Sequence, residues 1–222
     1  MYQLKKESYF NIPRIDLIGL IPKKENNKVL EIGAGSGDTL IELKKTKIAS
    51  EVVGIELMQL PDSNQNHPDI DKFIFGNIEN IELDLPENYF DVIICGDVLE
   101  HLIDPWNTLH KLHKFLKSDG IIIISLPNFR EFQTLYKIFI KADFHYTEEG
   151  ILDKTHLRFF CKKNIISLLN QSSFKIISLH SKFDLYKVAN KRKTVNKLTF
   201  GLFRDLLTIQ YIVVATKNQN NI

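Results

Sequence analysis

The sequence predicts a doubly wound α/β fold, with a largely parallel sheet covered by helices. Three observations carry the prediction. The apolar run Val29–Ile32 breaks into glycines at alternate positions, Gly33, Gly35 and Gly37, and Thr39–Lys45 then has helical spacing, with Leu40 and Leu43 three apart and Lys44–Lys45 near the far end. Two later runs, Val92–Cys95 and Ile121–Ile124, are apolar throughout, as strands buried on both faces of a parallel sheet are. Strand, glycine turn and helix together form the first unit of a nucleotide-binding sheet, with the ligand at the strand's carboxyl end.

Length and composition bound the rest. The 222 residues suffice for one α/β domain with a full core and an excursion or two. Apolar residues at 44% and charged residues at 25% are those of an ordinary soluble protein, and a net charge of +2 gives no global field to recruit nucleic acid. Cys95 and Cys161 have no metal-ligand spacing and suggest no disulfide framework. The lysines near the N-terminus are followed by no apolar run, so no signal peptide is expected, and no stretch approaches the ~20 apolar residues that span a bilayer. The expectation is a single cytoplasmic domain over residues 1–222, with a lead-in at 1–27, an insert at 129–160 and a basic excursion at 182–207. Composition is silent on oligomeric state.

The spacing of the glycines narrows the ligand. A dinucleotide fingerprint, G-x-G-x-x-G, would need its third glycine at Asp38. An acid there suits the helix dipole but repels a pyrophosphate, and Glu31 adds a second negative charge. Such a pocket suits a ligand with a cationic amine and no phosphate, which also speaks against a dehydrogenase. The stretch Glu31-Ile32-Gly33-Ala34-Gly35-Ser36-Gly37 resembles the first motif of class I S-adenosylmethionine-dependent methyltransferases, and the order of later motifs extends the resemblance over about the first two thirds of the chain. It implies a Rossmann-like, doubly wound, seven-stranded sheet, mostly parallel with an antiparallel edge strand, and S-adenosylmethionine as cofactor.

The elements follow in order. In the lead-in, Ser8 is placed to cap a short helix, and Ile12, Ile15, Leu17, Ile18 and Leu20 offer cover for a sheet edge; the segment either packs or closes over the cofactor. Glu51–Glu56 reads as a β-branched strand ending in an acid about 20 residues past the glycines, where a carboxylate accepts hydrogen bonds from two ribose hydroxyls. Leu57 and Met58 fall where adenine needs an apolar wall. Lys72–Phe75 is a third strand; Asn77 stands where the family commonly has an acid for the adenine amino group, keeping a carbonyl acceptor, and Ile78 adjoins it.

Tyr89–Asp97 is the fourth strand, continued by Val98-Leu99-Glu100-His101-Leu102-Ile103-Asp104-Pro105, a pattern frequent in small-molecule methyltransferases. It is unlike the Pro-Pro-aromatic strand end of nucleobase amino-methyltransferases. Asp104 caps and Pro105 begins a helix running to Leu116. After the fifth strand, Asp119–Asn128, Pro127 stands before Asn128, so the acid–asparagine pair of metal-dependent catechol-type enzymes is incomplete and no metal is expected. Cofactor contacts are therefore expected from Glu31, Gly33, Ala34, Gly35, Gly37, Glu56, Leu57, Asn77, Ile78, Gly96 and Asp97, with Glu31 and Asp97 positioning the methionine amine.

Two excursions remain. Residues 129–160 are rich in aromatics, including Phe129, Phe144, Tyr146 and Phe159, and Leu135, Ile138 and Phe139 fit an amphipathic helix. Gly150-Ile151-Leu152-Asp153-Lys154-Thr155-His156-Leu157-Arg158-Phe159-Phe160 resembles a segment of bacterial methyltransferases that accompany surface-polysaccharide synthesis. Asp153, Arg158 and Tyr146 are candidate acceptor-binding residues; the alternative is that Asp153 and Arg158 pair to pin the insert. After a helix from Lys162 to Leu169 and a strand at Phe174–His180, residues 182–204 hold seven basic residues and one acid among aromatics, before the last strand at Thr208–Ala215. Such a segment suits peripheral contact with the inner face of a membrane, a phosphorylated substrate, or plain cover of the sheet.

Methyl transfer to a hydroxyl needs in-line alignment, exclusion of water and a base near the working pH. His156 in the insert and His101 after the fourth strand are the first candidates, ahead of His145, with a structural role as the alternative for each. Three functions follow: O-methylation of a sugar or glycan precursor of the cell envelope, methylation of a quinone-like or other small aromatic metabolite, or a cofactor-binding, non-catalytic partner subunit. Intact glycines, Glu31 and Glu56 argue against the last.

Overall fold

In the computed structural model, which describes residues 12–24, 26–183 and 190–218, seven strands form one sheet. They are β1 (Asn27–Ile32), β2 (Ala49–Glu56), β3 (Lys72–Phe75), β4 (Phe90–Gly96), β5 (Leu116–Pro127), β6 (Phe174–Lys182) and β7 (Gln210–Lys217). Their order is β3-β2-β1-β4-β5-β7-β6, and only β7 runs antiparallel to its neighbours. This is the expected doubly wound sheet; the antiparallel strand belongs to the edge hairpin, with β7 inside and β6 outermost. The helices are α1 (Ile15–Ile18), α2 (Asp38–Lys45), α3 (Pro105–Phe115), α4 (Phe132–Phe139), α5 (Lys162–Gln171), α6 (Asn190–Leu198) and α7 (Arg204–Leu207), with a 3-10 turn at Leu99–His101.

The unbroken apolar strands have a direct cause. Val29, Val92 and Ile94 pack into one buried cluster with Leu40 and Leu43 of α2, while Leu30, Ile93 and Cys95 pack on the opposite face with Leu109 and Leu112 of α3. Both faces are covered, so alternation disappears. Because β1 lies between β2 and β4, successive connections leave it in opposite directions, and a crevice opens at the carboxyl ends of β1 and β4.

Several boundaries and faces differ from expectation. Leu116 is already extended, so α3 ends at Phe115 and β5 starts at once. In the lead-in, Leu17, Ile18 and Ile21 are buried, but Ile15 is exposed because α1 is a single turn with one inward side, and Ile12, which precedes the turn, is exposed as well. Ser8 lies outside the described residues. Helix α4 forms with Thr134 buried and Leu135 and Ile138 half-buried, while Phe139, also expected on that face, is 75% exposed, and Phe132 and Tyr136 are turned to solvent. Within the basic excursion, α6 and α7 are described and residues 184–189 lie outside the described part. Among the described residues no helix is long and apolar enough to cross a membrane.

Candidate active site

At the end of β1 the chain turns sharply enough that the N–H groups of Gly33 and Ala34 both donate to Ile55 O, at 2.8 and 3.1 Å. Gly33 has φ +68°, and a Cβ on it would lie 2.4 Å from Val98 Cγ2, so no other residue fits without displacing β4's exit. Gly35 and Gly37 are also left-handed, at +53° and +90°. The loop's crown is held by Glu56 at the end of β2: its Oε2 accepts from Gly35 N at 2.9 Å and its Oε1 from Leu57 N at 2.7 Å. Burial raises the Glu56 carboxyl above its usual range against these backbone donors. Gln65, buried and not anticipated from the sequence, donates to Gly35 O and Met58 O at 2.8 and 3.1 Å.

Beneath the loop sits Glu31, 4% exposed. Burial pushes its carboxyl up to about 8, opposed by a hydrogen bond with Thr39 and the Arg14 charge and reinforced by Glu56 and Asp38. Its Oε2 is buried with no hydrogen-bond partner among the described residues. Asp38 takes Asn64 Nδ2 at 3.0 Å and the Ser36 hydroxyl.

Asp97, at the exit of β4, is not an isolated carboxylate. Its Oδ2 accepts from Arg14 Nη1 at 2.6 Å and its Oδ1 from Ser125 Oγ at 2.9 Å and from Gln210 Nε2. Arg14 also donates to both oxygens of Asp16, at 2.9 and 3.1 Å, and Lys182 Nζ reaches Asp16 at 2.6 Å. Burial alone would lower the Arg14 guanidinium, but Asp97 and Asp16 outweigh it and raise it; Asp16 is held down to about 2 against its own burial, chiefly by Arg14. Gly96 faces the same network, since a Cβ there would lie 3.2 Å from Arg14 Nη1. On the β3 side, Asn77 Oδ1 accepts from Glu79 N at 2.9 Å, Ile78 is buried and Leu57 is 47% exposed.

On the other flank of β4's exit, two histidines anticipated separately come together. His101 and His156 stack edge to face with centroids 4.7 Å apart. His156 Nε2 lies 4.0 Å from Glu100 Oε1, and Glu100 is 1% exposed. The insert is laid there by its backbone: Leu157 N and Arg158 N both donate to Glu100 O, at 2.8 and 3.0 Å.

The rest of the insert's polar cluster divides. Asp153 is 1% exposed and accepts from Thr155 N and Oγ1, at 2.8 and 2.6 Å, so its carboxylate builds the turn that aims His156. Arg158 points the other way, donating to Ile103 O at 3.1 Å and lying 5.9 Å over the Trp106 ring, in a cleft with Asn164 and Gln171. The sequence grouped Asp153, His156 and Arg158, but the chain turns between Asp153 and His156, whose N–H donates to Asp153 O at 3.0 Å, and Arg158 is held away on Ile103 O. Tyr146 is half exposed, edge-on to Phe144 at 5.4 Å, and Phe129, Phe144 and Phe159 form an aromatic patch. His145 is exposed. Asn128 spends its amide on Asp205 O and Thr208 O, at 2.7 and 2.8 Å.

Comparison with known proteins decides the family. A profile described as "Methyltransferase domain" matches residues 4–179, which is most of the chain. The chain belongs to this methyltransferase family. It is 30% identical over 118 residues to a malonyl-[acyl-carrier protein] O-methyltransferase of Bacillus cytotoxicus, covering 52% of this chain and 40% of that one. It is 23% identical over 163 residues to a ubiquinone biosynthesis O-methyltransferase of Proteus mirabilis, covering 69% and 64%. The methyltransferase thus spans 40% and 64% of the length of these two relatives. A crystal structure described as a SAM-dependent methyltransferase from Archaeoglobus fulgidus shares the fold with TM-score 0.63 and 21% identity, over 96% of this chain and 95% of that one.

The cofactor of the methyltransferase is S-adenosylmethionine, and the residues present fit it. Glu31 offers a buried carboxylate oxygen that an ammonium would satisfy. The acids that raise Glu31, namely Glu56 and Asp38, make the pocket hostile to a pyrophosphate. Arg14, Ser125, Gln210 and Glu100 were missed as site residues in the sequence. Glu100 stood inside a quoted motif, next to His101; Arg14 and Gln210 carry no local signal, because only the sheet brings them to Asp97.

Proposed function

We propose that this methyltransferase O-methylates a hydroxyl of a small acceptor, with the sugar or sugar-lipid of a cell-envelope glycan precursor as the substrate class. The observation that carries the reading is the convergence of Glu100, His101 and His156 at the exit of β4, beneath the insert. The cofactor supplies a methyl group on a sulfonium, already activated. Glu31 and the glycine loop orient it, and Glu56 is placed for the ribose hydroxyls. The acceptor's proton is lost at the Glu100–His101–His156 cluster, and the aromatic patch of Phe129, Phe144 and Phe159 shields it from water. The glycan reading draws on the likeness of residues 150–160 to enzymes of surface-polysaccharide synthesis. A quinone-like acceptor is the second reading, supported by the relative from Proteus mirabilis. Transfer of labelled methyl to one of two panels, lipid-linked sugars or hydroxylated quinone precursors, decides between them.

We propose further that the enzyme meets its acceptor at an anionic membrane surface. Arg192 of α6 is paired with Glu131, the N-cap of α4, at 2.7 Å, which joins the excursion to the insert. Together they expose Phe132, Tyr136, Phe139, Ile140, Leu198, Phe200 and Leu202, Phe200 at 99%, interleaved with Lys137, Lys193 and Lys197. Exposed apolar side chains interleaved with lysines along the chain match anionic headgroups over acyl chains.

A further inference from the structure

We propose that Glu100, His101 and His156 form a binding site for one divalent transition-metal ion, through which the cluster ionises the acceptor hydroxyl. The inference builds on the acceptor-side reading above and assigns its chemistry. The tautomers come first. His101 Nδ1 lies 3.1 Å from Thr155 O and His156 Nδ1 lies 3.1 Å from Ile151 O. A carbonyl oxygen accepts and cannot donate, so each Nδ1 carries the proton and the lone pair of each neutral ring is on Nε2. Metal-ligating histidines are typically fixed this way, by donating their other nitrogen to a backbone carbonyl.

The spacing comes next. One ligand atom from each of the three side chains lies within 4.8 Å of the other two. Glu100 Oε1 and His156 Nε2, at 4.0 Å, are too far apart for a hydrogen bond. Two ligands on one tetrahedral ion, each bonded at about 2.0–2.1 Å, lie about 3.3–3.4 Å apart, so that pair must close by about 0.6 Å and the widest separation by up to about 1.5 Å, within the reach of side-chain rotation.

Two imidazoles and one carboxylate suit zinc, manganese, iron(II) or cobalt and leave coordination positions open. A hydroxyl bound there would be acidified by the ion, with its proton passing to solvent. The ion would also clamp the insert, which supplies His156, to the 3-10 turn that supplies Glu100 and His101. No metal is expected from the sequence, on the ground that Asn128 after β5 lacks its acid partner; Asn128 is spent on backbone carbonyls, and the proposed cluster, after β4, departs from that expectation.

The test uses the whole protein, stripped with a chelator and titrated with Co²⁺ and then Zn²⁺ without acceptor. One equivalent of Co²⁺ should give visible d–d absorption that Zn²⁺ abolishes, and either ion should raise the melting temperature. His156→Ala should lose the signal and the melting shift, while His145→Ala, at an exposed histidine of the same insert, should keep both. Glu100→Gln, if it folds by circular dichroism, should weaken Co²⁺ binding at least 10-fold. Wild-type protein that binds neither ion more tightly than His156→Ala overturns the site. Stripped protein that transfers methyl groups at the full rate overturns its role in the reaction. Calorimetry of S-adenosylhomocysteine on the stripped protein separates these failures from a failure of the methyltransferase reading, since cofactor binding does not need the ion.

Discussion

Arg14 Nη1 donates to Asp97 Oδ2 at 2.6 Å, joining positions 83 residues apart and tying the lead-in to the exit of β4. Both side chains are only about a fifth to a quarter exposed, at 22% and 24%. Removing one partner strands the other's charge at the cofactor crevice. Arg14→Met should therefore cost about 1–3 kcal/mol, less than a fully buried pair because solvent screens it, and lower the melting temperature by roughly 2–10 °C. Arg14→Met with Asp97→Asn should recover part of the loss in a double-mutant cycle. Additive losses would show that the two residues act independently.

Glu31 makes the second prediction, on pH. Its folded value, about 8, stands above its ordinary 4.5, so between those values the cofactor-free protein holds a proton that the unfolded chain releases. The stability this group contributes is complete below pH 4.5 and is lost as pH rises through 8. A cofactor ammonium favours the carboxylate and expels the proton. S-adenosylhomocysteine affinity should therefore rise from pH 6 toward 8, with proton release measurable by calorimetry in buffers of different ionisation enthalpy. Glu31→Gln should flatten that dependence. Binding with no proton release would place the ammonium elsewhere.

These two sites show how far the sequence could be read. The glycines and Glu31 were legible because strand, turn and helix are local, and their chemistry follows from a few adjacent positions. The sheet was legible because Val92–Cys95 and Ile121–Ile124 are apolar on both faces. Gln65 and Arg14 were not, since each is recruited from a distant part of the chain by a hydrogen bond that leaves no periodicity. His101 and His156 were named separately, but their meeting over Glu100 depends on the path of the insert, and of the residues read as the apolar face of α4, Leu135 and Ile138 are half-buried while Phe139 is exposed.

Glu56 serves two masters, the N–H groups of Gly35 and Leu57 and, in the proposed complex, the ribose hydroxyls. Glu56→Ala should weaken S-adenosylhomocysteine binding by about 2–3 kcal/mol, roughly 30- to 150-fold, through lost charge-assisted bonds. Glu56→Gln, which keeps one acceptor, should fall between. Unchanged affinity by calorimetry would reduce Glu56 to a brace for the loop.

For the acceptor side, His156→Ala should leave cofactor affinity within about twofold and cut turnover by about 10²-fold or more, whether the imidazole takes the proton or holds an ion that acidifies the hydroxyl. Arg158→Ala should change turnover little, because its guanidinium is spent on Ile103 O and Trp106. A larger loss at Arg158 than at His156, measured once an acceptor is found, would move the reaction to the cleft between α3 and α5.

The membrane surface makes the last prediction. Phe200 at 99% and Leu202 at 80% exposure sit at the turn between α6 and α7, where removing them costs the core nothing. Lys193 and Lys197 lie on the same segment, and each lysine near an anionic surface contributes about 1 kcal/mol. The wild-type protein should therefore sediment with vesicles containing phosphatidylglycerol and not with pure phosphatidylcholine, and the binding should weaken as salt rises through the screening range. Phe200→Glu with Leu202→Glu should abolish sedimentation while leaving the melting temperature within about 1 °C, as surface substitutions away from packed features do. Lys193→Glu with Lys197→Glu should weaken it at low salt and matter less at high salt. If the wild-type protein ignores anionic vesicles, or the glutamate variants bind as well as it does, the exposed face is not a lipid-docking surface, and a soluble acceptor becomes the reading to pursue.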